Sequence, residues 1–99
     1  MPAIAEPPIT VACLPEPDGW RCDVRVGEDD GATDHVVMLD HDALRELAPV
    51  GASPEELVLE SFRFLLEREP REAILLRFDL PVITRYYADY EEAIHRRLG

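Results

Sequence analysis

Lysine, asparagine and glutamine are all missing from this chain. Every cation other than histidine is therefore an arginine, and no side-chain amide is left to build a recognition site. The bias is that of a GC-rich genome, because lysine and asparagine codons are AT-rich. Positive charge is scarce: 10 arginines face 21 acidic residues, for a formal net charge of −11. Such a surface repels a phosphate backbone, so direct nucleic-acid binding is disfavoured. No apolar run approaches the roughly 20 residues of a membrane-spanning helix. The first eight residues hold no basic residue and no long apolar stretch, so they do not read as a signal peptide, and the expected compartment is the cytoplasm. There is no glycine-rich phosphate loop, no His-Glu-x-x-His helix, no Cys-x-x-Cys pair and no internal repeat. With these marks of catalysis missing, no catalytic residue, cofactor or metal ligand is assigned.

What is present fits one bacterial cytoplasmic domain. The 99 residues are 46% hydrophobic, enough to fill a modest core. Residues 1–8 read as a disordered tail and residues 9–99 as a single α+β domain. Its fold class is a three-stranded antiparallel meander over 9–39, packed against helices over 40–99. Ile9, Val11 and Cys13 alternate with Thr10, Ala12 and Leu14. Pro15 to Gly19 reads as a reversal. Trp20, Cys22, Val24 and Val26 then face away from Arg21, Asp23 and Arg25. Asp30-Gly31 closes the second reversal, and the third strand covers about Ala32–Leu39. This strand breaks the alternation: Val36-Val37-Met38-Leu39 is apolar on both faces, so one face is either covered or meets a partner.

Asp40 is an expected N-cap for a helix over 41–47. Ser53, Pro54 and Glu56 form a capping box and first turn for a helix running to about Arg68. Pro70 breaks the helix at Glu69. Residues 71–78 then read as a second helical segment, and Asp79 as the cap of a third, which carries Val82, Ile83, Tyr86, Tyr87, Tyr90 and Ile94 on one face. Whether this one breaks near Asp89 stays open.

Cys13 and Cys22 fall opposite each other on neighbouring strands. The plainer reading is two small core residues in a reducing cytoplasm, with a cross-strand disulfide as the alternative. A closed zinc site wants two more ligands. Ser53 is accounted for as a cap, and Ser61 as a small residue on a packed helix face. The densest polar cluster is Asp29, Asp30, Asp34, His35, Asp40, His41 and Asp42. It spans both ends of the third strand, ~20 Å apart at about 3.3 Å per residue, so turns and caps explain it better than a cation site. Phe64 sits opposite Phe62 and Leu66 on the helix wheel, which marks it for exposure or for a second subunit.

Glu60-Ser61-Phe62-Arg63-Phe64-Leu65-Leu66-Glu67-Arg68-Glu69-Pro70, then Ile74-Leu75 and Phe78-Asp79-Leu80-Pro81-Val82-Ile83, resembles a segment of short bacterial hypothetical proteins. That resemblance brings no residue role with it. The strand-strand-strand-helix order is similar in topology to antitoxin domains of the HicB type. These readings lead to three functional expectations. The first is a non-catalytic interaction or regulatory protein that self-associates as a homodimer through Val36, Met38 and Phe64. The second is an acidic partner of a basic protein, antitoxin-like or a nucleic-acid mimic, offering Asp29, Asp30, Asp34 and Asp42. The third is a metal-dependent enzyme using His35 and His41.

Overall fold

The computed structural model describes residues 7–28 and 30–99. Strands β1 (Ile9–Glu16), β2 (Gly19–Val26) and β3 (Thr33–Asp40) form an antiparallel meander. β1 outruns its expected end: Pro15 pairs with Trp20 and Glu16 with Gly19, leaving only Pro17 and Asp18 to turn the chain. A Cβ on Gly19 would lie 2.1 Å from the Leu39 carbonyl oxygen, so only glycine lets β2 begin this close to β3. The register buries Cys22, Val24 and Val26 with His35, Val37 and Leu39 on one face. By the two-residue period of a strand, Ala12, Leu14, Arg21, Asp23, Val36 and Met38 share the other. Of the expected tail, residues 1–6 lie outside the described residues, while the Pro8 carbonyl accepts the Gly27 N–H at 2.8 Å.

Cys13 and Cys22 are register partners and are joined by a disulfide, which corrects the reading of two free thiols. The hairpin register sets the two residues directly opposite each other, with their Cα atoms 4.0 Å apart.

Helix α1 (His41–Leu47) starts where Asp40 accepts the Ala43 N–H at 2.7 Å. Helix α2 (Pro54–Leu66) is capped by Ser53, whose hydroxyl accepts the Glu56 N–H at 3.1 Å and donates to the Glu56 carboxylate at 3.3 Å. It lies on the buried face of β1 and β2 and also packs against the last helix. Leu57, Val58, Phe62 and Leu65 are thereby removed from water, at roughly 1.5–3 kcal/mol for each large side chain.

After Pro70 the expected helix over 71–78 does not form. Arg71–Ala73 makes a single 3-10 turn, and Arg77–Asp79 becomes β4, paired in parallel with Val36–Met38. The edge of β3 offers unpaired backbone groups, and the Leu76 carbonyl takes the Val36 N–H at 2.8 Å. Satisfying that edge outweighs the helix propensity of Ile74-Leu75-Leu76. The sheet is thus four-stranded and mixed, in the order β1-β2-β3-β4, rather than a three-stranded meander alone. The Asp79 side chain makes no capping bond to the turn after it. That 3-10 turn (Leu80–Val82) runs into α3 (Ile83–Tyr86), residues 87–89 interrupt, and α4 (Tyr90–Leu98) ends the chain.

One buried polar pair pins α4 to α2. Ser61 donates its hydroxyl to the Leu57 carbonyl at 2.7 Å, so the Tyr90 hydroxyl must donate to Ser61 Oγ, at 2.6 Å. Tyr90→Phe leaves Ser61 satisfied and should cost about 1 kcal/mol, whereas Ser61→Ala strands a buried hydroxyl and should cost about 1–3 kcal/mol. Burial raises the Tyr90 pKa above its ordinary 10.0, against an opposing pull from the Ser61 bond. The unfolded chain ionises near 10, while the folded chain keeps the proton. The contribution is therefore whole below pH 10 and is lost as pH rises through the window above it. Urea unfolding at about pH 8 and about pH 11 should show a smaller alkaline loss for Tyr90→Phe than for the parent; equal losses would contradict the assignment.

Candidate functional site

Among the described residues no helix covers the outer sheet face. Leu14 is 53% exposed there, and Val36 and Met38 are half-buried. Charges are interleaved with these apolar residues. Arg25 pairs with Asp34 at 3.2 Å in solvent, where such a pair contributes little, and Arg21 approaches Asp23 at 3.8 Å through its Nε, an atom that is itself buried.

This face ends in a groove of about 560 Å³. The end of β1 and the β1–β2 turn form one bank, with Glu16 and Asp18. The ends of β3 and β4 supply Met38, Asp40 and Asp79, and Pro81, Val82 and Arg85 wall the far side. Trp20 adds apolar surface. Asp40 spends one oxygen on its cap. Glu16, Asp18 and Asp79 have no ion-pair partner among the described residues. Four carboxylates and one arginine around an apolar floor hold a negative potential over a concave surface, which selects for positive charge. No short sequence window contains this set. Asp79 joins it only because β4 pairs with β3, setting Asp79 beside Met38.

Of the acidic face expected from sequence, the described residues Asp34 and Asp42 lie apart. Asp29 lies outside the described residues, and Asp30 is an exposed turn residue. Asp34 is tied to Arg25, while Asp42 sits in the first turn of α1, paired with Arg45 at 2.5 Å, beyond the opposite end of β3.

The two histidines of the enzyme expectation are likewise kept apart. His35 is buried, donating from Nδ1 to the Leu75 carbonyl at 2.8 Å and meeting the Thr33 hydroxyl through Nε2 at 2.8 Å. His41 is exposed, its ring against Trp20 with centroids 4.7 Å apart. Among the described residues no three His, Cys, Asp or Glu side chains are grouped to hold a metal ion.

Phe64 requires a correction. It is 0% exposed, covered by its own chain rather than by a partner. Its ring meets Tyr87 and Tyr90 edge-on at 5.7 and 5.3 Å, and the Arg68 guanidinium lies 3.6 Å from its centre. The helix wheel places Phe64 off the sheet-facing side correctly; what it misses is that α4 closes over that side.

A second, smaller cleft lies between the end of α2, the segment before β4, and α3. It encloses about 270 Å³ among Leu65, Ile74, Phe78, Ile83 and Tyr87. No helix among the described residues is long and apolar enough to cross a membrane. No family model, no curated protein and no solved structure matches this chain.

Proposed function

We propose that the protein is a non-catalytic interaction domain that offers the acidic groove at the end of its open sheet face to a basic segment of a partner protein. The observation that supports this most is the meeting of Glu16, Asp18, Asp40 and Asp79 around Trp20, Met38 and Val82. An arginine or lysine can lay its aliphatic stem on that floor and its charge among the carboxylates. An Arg-rich peptide should bind with an affinity that falls steeply with added salt, and Asp79→Asn with Glu16→Gln should weaken it by about tenfold. Binding that ignores both salt and the double substitution would contradict the reading.

Self-association is the second reading, favoured by Val36 and Met38 standing half-exposed on an uncovered face. Light scattering on the same samples decides it, with a two-chain mass expected for the parent and a one-chain mass for Met38→Asp. A cytoplasmic home remains part of the proposal, and the Cys13–Cys22 bridge bears against it, because structural disulfides persist in oxidising compartments. Alkylating thiols at the moment of lysis discriminates: free Cys13 and Cys22 support the cytoplasm, and protected ones oppose it.

A further inference from the structure

The cleft beside α3 combines an apolar body with one oriented carboxylate. Leu65, Ile74, Phe78 and Ile83 supply the body, within about 270 Å³. Tyr87 donates its hydroxyl to Oε2 of Glu69 and so orients that carboxylate; Oε1 has no partner among the described residues. Exposed apolar surface gathers at the rim, with Leu75 at 47% and Tyr86 at 66%. The neighbouring main-chain acceptors are already used: the Leu75 carbonyl by His35 and the Leu76 carbonyl by the Val36 N–H. A compact ligand with an apolar body and a single cationic head satisfies both features, since its body leaves water while its head pairs with Glu69. Arg68, the neighbouring cation, is engaged elsewhere, with Asp89 at 2.6 Å and over the Phe64 ring. We propose that this cleft binds a small organic ammonium, an aryl- or alkylamine about the size of one ring with a short arm. It shares Val82 with the acidic groove and no other lining residue, so the two sites can be tested separately.

The test titrates 2-phenylethylamine into the full isotope-labelled chain by NMR, with 2-phenylethanol as the neutral isostere. Shifts are expected at Ile74, Phe78 and Ile83, with the amine binding about tenfold tighter than the alcohol. Glu69→Gln keeps an acceptor for Tyr87 and removes only the charge. It should weaken the amine about tenfold and leave the alcohol unchanged. Tyr87→Phe frees the carboxylate to swing and should weaken the amine by less. The proposal is overturned if amine and alcohol bind equally, if Glu69→Gln binds the amine as the parent does, if the shifts fall only on Trp20 and Asp40 of the groove, or if no cleft resonance moves up to roughly 10 mM ligand.

Discussion

Phe64→Ala should remove about 3–5 kcal/mol of stability, a large share of the roughly 5–15 kcal/mol available to a domain. The cost has two parts. The side chain is fully buried, so its apolar area is lost to the core, and the space it leaves is bounded by Tyr87, Tyr90 and Arg68, which are held by bonds of their own. Tyr90 is tied to Ser61, Tyr87 to Glu69 and Arg68 to Asp89, so none is free to collapse inward. Arg68 also loses the ring beneath its guanidinium, a contact worth about 0.5–2 kcal/mol where partly shielded from water. Urea unfolding gives the number. The loss should be the same at low and high protein concentration, because every neighbour belongs to the same chain. A loss that shrinks at high concentration would return Phe64 to an interface.

Reducing the Cys13–Cys22 bridge should be the next largest perturbation. The bonded residues are nine apart, so the chain-entropy estimate for closing that loop is about 2–3 kcal/mol. At about 4–8 °C per kcal/mol for a domain of this size, the midpoint should drop by roughly 10–20 °C. Calorimetry with and without reductant tests it, and Cys13→Ala with Cys22→Ala should match the reduced parent without needing reductant. A midpoint that does not move would mean that the turn and the ladder already hold the two strands as firmly as the bond does.

The meander is legible in the sequence because its signals are local. Trp20, Cys22, Val24 and Val26 carry the period of a strand, and Asp40 and Ser53 announce their helices by side-chain chemistry that acts within three residues. β4 is not legible. Ile74-Leu75-Leu76 reads as helix on propensity, and only the free edge of β3, forty positions earlier in the chain, makes the segment after it a strand. The same gap hides the acidic groove. Its carboxylates come from the end of β1, a turn, a cap and that unforeseen strand, whereas the acids close together in sequence, Asp34 and Asp42, part to opposite ends of β3. The cysteine pairing is visible in register, but the sequence offers no reason to prefer bond over thiol. The open face around Val36 and Met38 is visible as a doubled apolar pattern, whereas Phe64 is misplaced because a wheel describes one helix and says nothing of the next.

The three-residue β4 also has a consequence for the order of events in folding. The hairpins of the meander close through short turns, and each can form on its own at small entropic cost. The parallel rung beside β3 has no such shortcut: its pairing waits until α1 and α2 have brought the chain back across the domain. Because Asp79 lines the groove and Phe78 the cleft, neither site is complete until that long-range rung has closed.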